Sequence, residues 1–294
     1  METKKKKIGF ILNPYAGIGG KAGLKGSDNY KKIEKLLLEG CERTAPKRAE
    51  SCMSKIADLT ASLVAGDKGL VGEKNFSILS APGNMGEALL KKLKIPCDVV
   101  LCPKADTSSA EDTKLCAQIM KEQGVDLLVF CGGDGTARDI CEAVGTDVTV
   151  LGIPAGVKMY SACYACNPYQ AGEMLTGWLE GKEMSYEMRE VLDIEEKDLD
   201  SRNVSPQLYG FLEVLSDGKH LQKAKELDLG SGESATIIAR AAILRMEKDW
   251  VYIIGPGGTT WKIKELLCEN DEQEDTGKKN VRGTVRGVDV IRNG

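Results

Sequence analysis

The sequence predicts an α/β chain: a parallel sheet covered by helices in its first half, then a smaller, β-rich second domain. Three observations carry this. Short apolar runs recur over the first 155 residues without internal polar alternation, as strands buried on both faces require. Segments with helical spacing separate them, which is the order that builds a parallel sheet. Glycine loops follow these runs, and open α/β sheets bind ligands outside the carboxyl ends of their strands.

The elements follow in order. Lys4-Lys5-Lys6-Lys7 reads as a solvated tail before the first strand, Ile8 to Leu12. A glycine-rich loop runs from Pro14 to Gly26, and Asn29 to Glu39 carries Ile33, Leu36 and Leu37 at helical spacing. Phe76 to Leu79 and Asp98 to Leu101 are the next strands. Ser108 with Glu111 forms a capping box that opens a helix bearing Leu115, Ile119 and Met120. Val125 to Cys131 is a continuous apolar strand. Ala137, Ile140, Cys141 and Val144 mark one helix face, and Val148 to Ile153 is the strand after it. A helix is expected over Ala171 to Leu179, then shorter mixed segments such as Leu208 to Val214 and Ser234 to Arg245. Trp250 to Ile254 reads as a strand and Thr259 to Leu267 as a helix. The charged stretch Asn270 to Asn280 reads as an exposed, mobile loop. Two domains are expected, 1–155 and 156–294.

Composition narrows the function classes. The chain has 294 residues, 42% hydrophobic and 29% charged, and so is globular rather than disordered. A formal charge of −4 gives no global basic field for nucleic acid. No apolar run approaches the length needed to span a bilayer. Ten scattered cysteines, with no secretory signal before them, read as thiols in a reducing compartment. Cys163-Tyr-Ala-Cys166 has the spacing of half a zinc site, but it lacks a second ligand pair and His220 is the single histidine. A cytoplasmic protein with no metal site of its own is expected.

Five loops are candidates for chemistry. Gly132-Gly133-Asp134-Gly135-Thr136 follows a buried strand and opens a helix. Its glycines permit close backbone approach, and the unpaired amides of the helix start favour an anion. Thr136 can cap the helix or bond a phosphate oxygen. A carboxylate such as Asp134 beside an anion is repulsive unless it holds Mg²⁺ or takes a proton from an attacking hydroxyl. Gly255-Pro256-Gly257-Gly258-Thr259-Thr260 repeats the design as a second candidate anion site. Asn13 to Lys21, with Gly17, Gly19 and Gly20, loosely fits a dinucleotide pattern through Gly17, Gly19 and Ala22. It is read here as a donor-phosphate loop, because Gly23 and Gly26 interrupt the helix start. No Walker A loop is present, since Ala22 follows Gly20-Lys21. Gly83-Asn84-Met85-Gly86 and the loop with Gly156 and Lys158 end two more strands, and Lys158 can counter a phosphate.

At these residues the chain resembles the ATP-NAD kinase family, and within it the ATP- or polyphosphate-dependent branch that includes AcoX-like proteins. The similar pieces are 9–20, 81–87, 129–139, 152–168, 189–214, 254–260 and Val288-Asp289-Val290. Gly-Gly-Asp-Gly-Thr is shared with diacylglycerol, sphingosine and phosphofructokinases. Gly83-x-Met85-Gly86 and Gly156-Val157-Lys158-Met159 point to the branch.

The resemblance implies a Rossmann-like N-terminal domain and a β-rich C-terminal domain, as in NAD kinases and diacylglycerol kinases. It implies transfer of a phosphoryl group from ATP or polyphosphate, with Mg²⁺ on the donor, to the adenosine 2′-hydroxyl of NAD. Asp134 would be the carboxylate that takes the hydroxyl proton. The alternatives are a kinase of another small hydroxyl metabolite or lipid, and a non-catalytic nucleotide sensor. Lipid kinases with this motif carry Asn-Glu soon after the threonine, where this chain has Ala137-Arg138-Asp139. Asn84 stands where the branch commonly has Glu. Relatives continue beyond the position of Gly294, so the second domain is expected to be cut short. Partners are expected to be small nucleotides and, as relatives commonly form dimers or tetramers, further copies of the chain.

Overall fold

A computed structural model describes residues 5–18, 38, 42–64, 76–101, 109–156, 159–193, 206–222, 231–255, 258–271 and 289–292. The chain divides into two compact units, Met1–Lys225 and Glu226–Gly294.

The first unit is built on a seven-stranded sheet. Its strands are β1 (Lys6–Leu12), β2 (Phe76–Ser80), β3 (Asp98–Val99), β4 (Leu127–Gly132), β5 (Val150–Pro154), β6 (Ser185–Asp193) and β7 (Gln207–Ser216). They lie in the order β3-β2-β1-β4-β5-β7-β6. The strands from β3 to β5 run parallel, and β7 joins β5 in parallel through Val150 opposite Val214. Only β6 runs antiparallel, against β7. The fold is thus α/β with a mostly parallel sheet, and the sheet continues past residue 155.

Helices α1 (Thr44–Val64), α2 (Glu87–Lys92), α3 (Ala110–Glu122), α4 (Asp134–Val144) and α5 (Pro168–Leu179) cover it. Side-chain alternation along the strands assigns each helix a face. Leu127, Val129 and Cys131 of β4 pack with Ala49, Met53 and Ile56 of α1 and with Met174 and Leu175 of α5. Leu128 and Phe130 pack with Met120 of α3 and Ile140 and Val144 of α4. All six residues of β4 are buried, which is why its sequence shows no polar alternation.

Several local readings shift. Lys6 and Lys7 belong to β1 rather than to a tail. Lys6 bonds the Trp178 carbonyl and lies over the Trp178 ring, while Lys7 Nζ bonds the Gln123 carbonyl. The capping box of α3 is Ser109 with Asp112, one residue beyond the expected pair, because these two side chains exchange bonds with each other's backbone amides. Ser108, the helix expected over 29–39 apart from residue 38, and residues 272–280 lie outside the described residues.

In the second unit, α6 (Ser231–Ile243) replaces the expected mixed segment. β8 (Val251–Ile254) pairs antiparallel with β9 (Asp289–Arg292), and α7 (Gly258–Asp271) follows β8. No helix among the described residues is long and apolar enough to cross a membrane.

Candidate functional site

The carboxyl ends of β1, β4 and β5 bring three of the glycine loops together. At the end of β4, Gly133 is the N-cap of α4 and Asp134 its first residue. Gly132 is glycine for want of room: a Cβ there would sit 2.3 Å from the Thr136 side chain. Beside it nothing lies within 4 Å of a Cβ at Gly133, so the helix start is open where an anion would approach.

The loop is tied to β1 through Asn13. Its Nδ2 donates to Thr136 Oγ1 at 3.0 Å, its backbone amide donates to the Cys131 carbonyl, and its Oδ1 accepts from the Tyr15 amide. Gly17 then has φ +79°, and a Cβ on it would lie 2.4 Å from the Ala155 carbonyl oxygen. That contact brings the β1 loop against the β5 loop. Arg48 of α1 fixes the β5 loop from the other side, donating to the Pro154 and Gly156 carbonyls at 3.0 Å each. Thr44 Oγ1, at the start of α1 near Gly17, is buried without a hydrogen-bond partner among the described residues.

Asp134 is held on both oxygens. Oδ2 accepts from the Tyr160 amide and Oδ1 from the Ser161 amide, each at 2.9 Å. One residue back, the Gly133 carbonyl accepts from the hydroxyl of fully buried Tyr164 at 2.6 Å. Burial above all pushes the Tyr164 hydroxyl well above its ordinary range, so it stays a donor. Burial likewise raises the Cys131 thiol, just before the loop, to about 12. Arg138 pairs with Asp193 at 2.9 Å, and Asp193 Oδ2 lies 3.7 Å from where a Gly135 side chain would begin.

The β2 loop forms a neighbouring turn. Gly83 has φ +54°, and its amide donates to Glu87 Oε2. Lys91 first, then that amide, hold the Glu87 carboxyl below its usual range. Met85 is buried in the core, Gly86 packs close to Ser80 and Phe10, and Asn84 is exposed. Gly255, Gly258, Thr259 and Thr260 belong to the second unit, with Thr259 exposed at the start of α7. Gly19, Gly20, Lys158 and Gly257 lie outside the described residues.

Sequence reasoning missed Ser161, Tyr164, Arg48 and Asp193. Their contributions are a backbone amide, a buried hydroxyl, a guanidinium on two distant carbonyls and a long-range ion pair, none of which leaves a local pattern. The usable signal was the demand of Asp134 itself: a carboxylate at a helix start needs donors, and residues 160–168 were part of a stretch of resemblance with no role assigned to them.

A family model, the ATP-NAD kinase N-terminal domain, matches residues 8–183, well over half of the chain. The match runs from β1 through α5, and so includes the loops after β1, β2, β4 and β5 and the segment that holds Asp134. No curated protein matches the sequence.

Proposed function

The chain belongs to the ATP-NAD kinase family, and on that premise we propose that it transfers a phosphoryl group from ATP or polyphosphate to the adenosine 2′-hydroxyl of NAD, giving NADP. The observation that carries this reading is the Asp134 carboxylate, fixed by two amides at the open start of α4. Phosphoryl transfer asks chiefly for positioning and charge neutralisation, and this arrangement offers both.

Asp134 accepts the proton of the 2′-hydroxyl. The 2′-oxygen forms a bond to the terminal phosphorus, the bond from that phosphorus to its bridging oxygen breaks, and the shortened donor leaves with the electron pair. Amides of Gly132 to Thr136, the Asn13–Gly20 loop and Lys158 hold donor phosphates, and Gly83 to Gly86 faces the acceptor nucleotide. Gly156 shapes the β5 loop around the donor. Gly255, Gly257, Gly258, Thr259 and Thr260 supply a further anion site.

Mg²⁺ carried in on a phosphate donor needs only one or two protein carboxylates, and Asp134 at the open start of α4 would supply one. Among the described residues, no group of three or more His, Cys, Asp or Glu forms a metal cage. When bound, Mg²⁺ would supply charge neutralisation to the donor phosphates. The proposed substrates and products are small nucleotides of the cytoplasm.

The test is incubation with Mg²⁺ and labelled ATP or polyphosphate against NAD, NADH and diacylglycerol. Label at the 2′-position of NAD is the expected result. Label on diacylglycerol alone makes the chain a lipid kinase. Nucleotide binding with no labelled product makes it a sensor. Either outcome overturns the proposal.

A further inference from the structure

Residues 159–165 form a strap across the start of α4, and we infer that Ser161 within it is a positioning residue for Asp134. This deepens the reading above and rests on Asp134 as proton acceptor. Ser161 is buried, with 2% exposure. Its hydroxyl donates to the Leu192 carbonyl at 2.8 Å and accepts from the Leu192 amide at 3.0 Å. Its own amide donates to Asp134 Oδ1, and the Tyr160 amide donates to Oδ2. One side chain thus joins the end of β6 to the carboxylate.

The rest of the strap is anchored on both flanks. On the β6 side the Ala162 amide donates to the Glu190 carbonyl at 3.0 Å. On the β5 side the Gly152 amide donates to the Cys163 carbonyl, and the Ala165 amide donates to the Gly152 carbonyl, each at 3.0 Å. A Cβ at Gly152 would lie 2.6 Å from the Cys163 oxygen, so the approach requires glycine. Tyr164 adds its bond to the Gly133 carbonyl.

The physical consequence concerns direction. An aspartate carboxylate turns about two side-chain bonds and offers roughly four acceptor sites. Two charge-assisted bonds from adjacent amides fix its plane and occupy one site on each oxygen. The carboxylate then has a set direction in which to meet the attacking hydroxyl. Without the Ser161 hydroxyl the strap loses both bonds to Leu192, and the two amides lose their common anchor.

The experiment compares the full chain with Ser161→Ala and Ser161→Thr. In NADP formation, Ser161→Ala lowers kcat about 10- to 100-fold with KM for NAD and donor little changed, as a small misplacement of a reacting group does. Ser161→Thr, which keeps the hydroxyl, recovers most of that loss. Unchanged kcat in Ser161→Ala, or a change confined to KM, overturns the inference. Hydrogen exchange supplies a readout independent of turnover. Amides 160 and 161 should exchange about tenfold faster in Ser161→Ala while those of β4 and β5 keep their rates. Equal rates at 160 and 161, or a matching rise throughout β4 and β5, overturn it. A wild-type chain that makes no NADP sinks the proposed function alone, and the exchange result still decides the role of Ser161.

Discussion

Two loops in this chain share one sequence design, and the structure treats them differently. Gly132 to Thr136 and Gly255 to Thr260 each follow a strand, carry three glycines and enter a helix with a hydroxyl. The first leaves β4, whose residues are all buried within a seven-stranded sheet. It is bonded to the loops after β1 and β5. The second leaves β8, half of a two-stranded ribbon in which Val251 and Ile253 are exposed, and a Cβ at Gly255 meets nothing within 4 Å. A glycine loop at a helix start is therefore an anion-binding opportunity. What turns one into a site with direction is the cross-linking around it.

The largest test of that contrast is Asp134→Asn. A positioned general base contributes about 10²–10⁴-fold, so NADP formation should fall by at least that factor. Asparagine also turns an NH₂ group toward one of the two strap amides, so circular dichroism should accompany the assay to confirm the fold. A turnover loss in Thr259→Ala as large as that in Asp134→Asn would erase the distinction between the loops.

Glycine replacement reads the same contrast as stability. Gly132→Ala forces a Cβ into the Thr136 side chain and should cost about 1–3 kcal/mol in denaturant titration. Gly255→Ala, with open space around it, should stay within about 0.5 kcal/mol. Equal costs would mean that the two glycines serve alike.

The third test is alkaline pH. Burial raises Cys131 from an ordinary 9.0 to about 12, so the folded state holds this proton more tightly than the unfolded chain does. Its contribution is whole below pH 9 and is lost as pH rises from 9 toward 12, at about 1.4 kcal/mol per pH unit. Stability measured between pH 8 and 11 should fall, and Cys131→Ala should flatten the slope. A slope unchanged by the substitution would show that this thiol does not carry it.

Much of the first unit was legible because β4 and β5 are buried on both faces, and such strands must be continuously apolar. Asp134 and its glycines were legible for a related reason, since backbone approach and a helix start leave local marks. Ser161 and Tyr164 were not. A serine amide and a tyrosine hydroxyl acquire their roles only when β5 and β6 carry their segment back over α4. The sheet also ran past the loop after β5, because Val214 finds its place beside Val150 through a long crossover that no periodicity records. Lys6 misled for a similar reason, as its partner Trp178 lies 172 positions away.

The strap has a consequence for synthesis of the chain. Strands β1 to β5 and the glycine loops after them are complete by Gly156, yet the amides that fix Asp134 come 26 and 27 positions after it. The anchor of those amides, Leu192, lies 31 positions beyond Ser161. A chain emerging from the ribosome thus completes five of the seven strands before its carboxylate has any fixed aim. The aim of Asp134 is set only once β7 as well as β6 has been made, since β6 joins the sheet through β7, and on the proposed reading a shorter nascent fragment carries the glycine loops without a directed carboxylate.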